Sequence, residues 1–171
     1  MAKERTASFH VAVDTREQRP WVFEGITYRY QKKDHPLIVP TKKIGLKTGD
    51  YSIVGMEDEV CIERKSMTDL HGTLTRGRQR FERELHRASD MKFAAVIVEG
   101  EWQQLLRYIA EKTSANPKSI DSSILAFSMR YPTVHWFFRP NRNTAMRTAF
   151  KILDMYKKER DKDAKRRQEV S

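Results

Sequence analysis

Residues 49–70 read GDYSIVGMEDEVCIERKSMTDL, and this stretch decides the fold. Tyr51-Ser52-Ile53-Val54 and Val60-Cys61-Ile62 are β-branched and aromatic runs separated by the polar linker Gly55–Glu59, which is the pattern of a β-hairpin. Asp50 begins one arm and Glu63 ends the other. Residues i and i+2 of a strand share a face, so Glu63 and Lys65 present a carboxylate and an ammonium side by side, with Asp50 able to face them. After Lys65 the period becomes helical: Leu70 and Leu74 lie one turn apart, Ser66 stands at the N-cap position and Asp69 at N3.

Working outward, Phe9–Val13 reads as a buried strand that delivers the charges Asp14-Thr15-Arg16-Glu17 at its C-terminal end. Residues 25–48, with Gly25, Pro36, Pro40 and Gly45, suggest short strands and loops. Downstream, Gly72 and Gly77 make one long helix improbable, so a break near Thr75-Arg76-Gly77 precedes a second helix with Phe81, Leu85 and Ala88 inward. Phe93–Val98 is a buried strand. Trp102, Leu105, Leu106 and Ile109 form a helical stripe, and Pro117 opens a helix burying Ile120, Ile124 and Phe127. Thr133–Phe138 returns to strand, and Ala145, Ala149, Ile152 and Tyr156 mark a last amphipathic helix expected to fray into the charged stretch 157–171. The order predicts an α/β domain, a mixed central β-sheet flanked by helices, over residues 1–156 with a charged helix end or tail over 157–171.

Thirty-three Lys and Arg against 23 Asp and Glu give 171 residues a net charge of +10, which favours polyanionic partners, nucleic acid first. The single cysteine, Cys61, excludes an internal disulfide and a cysteine-based zinc site. The longest apolar run, Phe93–Val98, is far short of the roughly 20 residues of a membrane helix. The N-terminal residues lack a secretory pattern. The expectation is a cytoplasmic protein with neither membrane nor nucleotide cofactor as partner. The five histidines form no HxH or HExxH pattern.

The acids Asp14, Glu17, Asp50 and Glu63 collect at strand ends. Converging carboxylates repel unless a cation sits between them, and oxygen donors at this density suit Mg²⁺ or Mn²⁺. Such an ion would bind a phosphodiester oxygen and stabilise the transition-state charge. Lys65 could orient or deprotonate the attacking water or neutralise charge on the phosphate. Taken singly, each acid also reads as an ordinary surface charge.

In order along the chain, Val13-Asp14-Thr15-Arg16-Glu17, Thr48-Gly49-Asp50-Tyr51 and Ile62-Glu63-Arg64-Lys65 with Asp69 resemble the VDxRE, GD and ERKxxxD series of XPF-type structure-specific endonucleases, in the PD-(D/E)xK nuclease superfamily. The resemblance implies a restriction-endonuclease-like core and a metal-dependent DNA endonuclease that leaves a 5′-phosphate and a 3′-hydroxyl. It implies Asp50 and Glu63 as metal ligands, helped by the Arg64 carbonyl, with Asp14 a further acid at the metal edge and Lys65 the catalytic lysine. Arg16, Glu17, Arg64 and Asp69 would form the supporting shell, Glu17 and Asp69 also reading as structural ion-pair partners. It implies a homodimer as well. Tandem helix-hairpin-helix modules need glycines, and the last glycine is Gly100, so a stand-alone nuclease domain of bacterial or phage type is expected.

DNA contacts are then expected from the domain itself: Lys42 and Lys43 in the basic run 29–47, Arg139 and Arg142 in the run 139–151, and Arg76, Arg78 and Arg80 close to the active motif. Trp21, Trp102 and Trp136 read as core residues, although Trp21 beside Arg19-Pro20 could reach a base. Two rival readings are a catalytically silent DNA-binding scaffold and a basic RNA-binding protein. Neither accounts for the ordered acid motif as well.

Overall fold

The structure, a computed structural model, describes residues 5–169. Its elements are β1 (Arg5–Thr6), β2 (Val11–Asp14), β3 (Thr27–Tyr30), β4 (Lys33–Ile38), β5 (Thr41–Ile44), β6 (Tyr51–Ile53), β7 (Val60–Ser66), α1 (Met67–Leu74), α2 (Arg78–Ser89), β8 (Phe93–Glu99), α3 (Trp102–Lys112), α4 (Pro117–Arg130), β9 (Val134–Arg139) and α5 (Arg142–Glu169). A 6-stranded sheet runs in the order β5-β2-β6-β7-β8-β9. β6 pairs antiparallel with β2 and β7, while β2 with β5, β7 with β8 and β8 with β9 are parallel. The mixed sheet flanked by helices is therefore the architecture present.

Side-chain alternation sorts β7 and β8 between two layers. Val60 and Ile62, with Ala95 and Ile97, pack toward Ala145, Ala149, Phe150 and Leu153 of α5. Cys61, Ala94, Val96 and Val98 face the opposite core, built from Leu70, Phe81, Leu85, Leu105, Ile109, Ile124 and Phe127 of α1 to α4. Glu63 and Lys65 continue the Cys61 side of β7, and Arg64 continues the Ile62 side. One strand thus sends its polar end to both faces of the sheet.

The local signals act as the sequence suggests. Ser66 Oγ accepts from Asp69 N at 3.1 Å and donates to the Asp69 carboxylate at 2.6 Å, closing the first turn of α1. Asn116 caps α4 through Lys118 N at 2.9 Å, with Pro117 in its first turn. Phe81, Leu85 and Ala88 are the buried residues of α2. All three tryptophans are wholly or partly buried, and Trp21 corrects the alternative of base contact: it is 2% exposed and stacks on Tyr51 with ring centroids 4.6 Å apart.

Two segments differ from expectation in detail. The run 25–48 divides between sheets, with β3 and β4 joining β1 in a separate 3-stranded sheet and β5 forming an edge of the central one. α5 buries Ala145, Met146, Ala149, Phe150 and Leu153, with Ile152 and Tyr156 on the flank of that stripe. It also stays helical to Glu169, so the boundary expected at 156/157 falls inside it. Lys157 with Asp161, and Lys162 with Glu159, form ion pairs along the helix surface, while Arg160 pairs with Glu59 at 2.8 Å. Among the described residues no helix is long and apolar enough to cross a membrane.

Candidate active site

Gly49 has φ +76°, and a Cβ placed there would lie 3.0 Å from Cys61 Cβ and 3.1 Å from the Ile62 carbonyl oxygen. Only glycine lets the chain turn this close to β7 without strain. Asp50 N then donates to the Ile62 carbonyl at 2.8 Å, and Asp50 Oδ2 accepts from Arg64 N at 2.7 Å. Asp14 N donates to the Asp50 carbonyl at 2.8 Å. The ends of β2 and β7 and the start of β6 are tied into one edge by two backbone bonds and the Asp50 carboxylate.

Glu63 and Lys65 lie on one face of β7, with Nζ 2.6 Å from the Glu63 carboxylate and 5.1 Å from the Phe81 ring centroid. They open with Asp50 into a cleft of about 870 Å³, which Asp14, Arg16, Glu17, Arg64 and Asp69 also line. Every acid singled out in the sequence is thus brought to one place.

Burial lifts both the Asp50 and Glu63 carboxyls above their ordinary range, and the Glu63 charge raises Asp50 further. Burial also works against the Lys65 charge, but Glu63 outweighs it and holds the ammonium above its ordinary range. Among the described residues no group of three or more His, Cys, Asp or Glu side chains is placed to hold a metal ion. The oxygen donors that the structure brings together are the two raised carboxyls of Asp50 and Glu63, and a hard divalent cation is what would lower their mutual repulsion. The residues fit such an ion.

Asp14 sits differently. It is 2% exposed, and its two carboxylate oxygens accept Arg16 N at 2.7 Å, Arg16 Nε at 3.0 Å, the Arg16 Nη2 at 2.6 Å and Leu46 N at 3.2 Å. Burial alone would raise its carboxyl, but the Arg16 bonds outweigh it and hold the group below its ordinary range. Its position organises the loop after β2. Asp69 likewise spends its carboxylate on the Ser66 cap, and Glu17 accepts Arg19 N at 2.6 Å with Arg64 Nη1 at 3.6 Å.

On the other face, Arg64 is gripped by a residue the sequence reading missed. Glu99, at the end of β8, accepts Arg64 Nε at 2.7 Å and Nη2 at 2.9 Å, together with Trp21 Nε1 at 2.8 Å and Arg142 Nη1 at 3.0 Å. The parallel register sets Arg64 opposite Ile97 and Ser66 opposite Glu99, so both charges point to the α5 side. An acid at the C-terminal end of a buried strand is the same signal that marked Asp14.

The basic residues separate into different roles. Arg80 lines the cleft, as do Lys47 at the end of the basic run 29–47 and Arg87, which was not singled out. Arg78 turns inward, donating to Ser123 Oγ at 2.5 Å and lying 4.7 Å over the Phe127 ring. Arg76 is exposed at the turn between α1 and α2, and Lys42 and Lys43 stand exposed on the β5 edge. Arg139 donates to Thr148 Oγ1 and the Phe138 carbonyl, both at 2.8 Å. Arg142 donates to the carbonyls of Arg19 and Pro20 at 2.5 and 2.8 Å as well as to Glu99. Its side chain ties the start of α5 to the loop after β2 while remaining 40% exposed.

A family model, the ERCC4 domain, matches residues 13–150. No curated protein sequence matches the chain. Among solved structures, XPF from Aeropyrum pernix in a complex with DNA superposes with a TM-score of 0.59 at 19% identity, over 88% of this chain and 66% of that one. This chain spans just under two thirds of that protein's length, and the likeness is one of fold. The match over most of the chain, on the XPF nuclease fold, shows that it belongs to the ERCC4-domain family of XPF-type nuclease domains.

Proposed function

We propose that this chain is a DNA endonuclease that hydrolyses phosphodiester bonds with Mg²⁺ or Mn²⁺, acting on branched or structured DNA. The observation that carries the reading is the juxtaposition of Asp50, Glu63 and Lys65 in a cleft rimmed by Arg16, Lys47, Arg80 and Arg87. Asp50 and Glu63, with the Arg64 carbonyl, would hold the ion, with Asp14 behind them at the same edge. When bound, the ion polarises a phosphate oxygen and lowers the pKa of water.

The chain's own groups do the rest. Lys65, kept charged by Glu63, presents N–H donors to the attacking water or to the scissile phosphate. Arg64, fixed by Glu99 and Glu17, holds the β7 backbone in register so that its carbonyl and the Glu63 carboxylate face the cleft together. The rim cations receive the flanking phosphates.

The test is single-turnover cleavage of flap, fork, four-way-junction and single-stranded DNA with each ion. Asp50→Asn and Glu63→Gln are expected to lose at least about 100-fold in rate, Asp50→Asn while melting near the parent temperature, since it opens no core cavity and leaves no buried cation without its partner. Full-rate cleavage by either variant would overturn the assignment.

The assembly we propose is a homodimer. Leu125 and Met129, one turn apart on α4, are 56% and 84% exposed, an apolar pair better covered than left in water.

A further inference from the structure

At the other end of the fold from the cleft lies a second groove, of about 620 Å³, between the small β1-β4-β3 sheet and α5. It shares no lining residue with the cleft. The cleft opens where β2 ends at Asp14, whereas this groove is lined by Arg5–Ser8, which precede the start of β2. Its cations are Arg5, Arg29, Arg147, Lys151 and Lys158, against the acids Asp34 and Asp154.

Both acids are already neutralised. Asp34 pairs with Arg29 at 3.2 Å, and Asp154 pairs with Lys158 one turn on. That leaves Arg5, Arg147 and Lys151 with no carboxylate in ion-pair reach among the described residues. Arg5 is held 5.3 Å over the Tyr28 ring. Arg147 and Lys151 are exposed on α5. Arg147, Lys151, Asp154 and Lys158 follow the spacing i, i+4, i+7, i+11, so they form one stripe along the helix, about 16 Å from end to end at 1.5 Å per residue. The hydroxyls of Thr6, Ser8 and Thr27 stand among the cations. Cations and hydroxyls arrayed along a line of this length match successive phosphates of a nucleic-acid strand, which are contacted by such side chains without base readout.

We propose that this groove is a second DNA-backbone site, separate from the catalytic cleft, which grips an arm of the substrate away from the scissile bond. It rests on the reading of the chain as a DNA-acting enzyme. It also divides the basic run 139–151: Arg139 and Arg142 hold intramolecular bonds, while Arg147 and Lys151 face the strand.

The experiment measures binding of the full chain, in chelator, to labelled duplex and four-way-junction DNA across a salt series. The double variant Arg147→Glu/Lys151→Glu is compared with Arg107→Glu/Lys112→Glu, which makes the same charge change on exposed positions of α3. Each lost phosphate contact removes about 0.9 from the slope of log affinity against log salt, so the groove variant should lose nearly two units and bind at least about 10-fold more weakly at moderate salt, with the α3 variant close to the parent. Equal effects of the two variants, or none from either, would overturn the groove while leaving DNA binding at the cleft intact. Failure of the parent to bind any DNA would overturn the DNA reading of the whole protein. A polyglutamate competitor that displaces DNA from the parent but not from the groove variant would assign the groove to acidic protein segments and likewise overturn the proposal.

Discussion

Lys65 is the residue at which geometry constrains chemistry most tightly. Its ammonium fits between the Glu63 carboxylate and the Phe81 ring, a compact space that suits a point charge. Lys65→Arg keeps the charge but brings a wider planar group that cannot give up its proton, so it should not rescue the rate lost in Lys65→Ala; single-turnover cleavage at saturating enzyme checks both. Glu99 offers a different test. Its side chain and that of Arg64 are 10% and 8% exposed, so Glu99→Gln leaves a buried guanidinium short of its counter-charge and should cost about 3 kcal/mol. Burial opposes the Glu99 charge, but Arg64 and Trp21 outweigh it and hold the carboxyl below its ordinary 4.5. A group depressed on folding contributes stability that is complete above its unfolded pKa and is lost as pH falls through the folded value. The gap in unfolding free energy between parent and Glu99→Gln should therefore be widest above about pH 4.5 and close below it, as denaturant titrations at several pH values would show.

At the scale of elements, the parts legible in the sequence are those whose causes are local. A period of two put Glu63 and Lys65 on one face of β7, and Ser66 with Asp69 announced the start of α1. The remainder depends on partners distant along the chain. Glu99 gains its meaning from Arg64, Trp21 and Arg142, which meet only when β7, β8 and α5 are in register. Trp21 reads as core with base contact as the alternative beside Arg19-Pro20, and what decides for the core is Tyr51, distant in sequence, stacked against it. Arg142 reads as a phosphate contact, and a run of cations carries no sign that one of them also braces Glu99. The length of α5 was hidden for a similar reason: after Leu153 only Tyr156 adds to the apolar stripe, and the helix is continued by surface ion pairs and by Tyr156 and Arg160 on Glu59. Ending the chain after Asp161 should accordingly shift the melting temperature by no more than about 2 °C, whereas ending it after Met155 removes both Glu59 contacts and should lower it by clearly more, read by calorimetry.

For the whole molecule, the two cores on either side of the sheet are complete within one chain, so a dimer is an addition to a finished fold rather than a condition for it. If Leu125 and Met129 form the contact, Met129→Glu should give monomers in sedimentation at concentrations where the parent is dimeric, with an unchanged melting temperature at high dilution. The way Arg64 is held has a consequence in time as well as in space. Asp14, Glu17, Asp50 and Glu63 all emerge from the ribosome within the first 65 residues, but the carboxylate that fixes Arg64 follows only at Glu99, and the brace on that carboxylate at Arg142. During synthesis the nascent chain carries the acids of the proposed site long before it can fix Arg64 beside them, and that brace is complete only when the last helix docks.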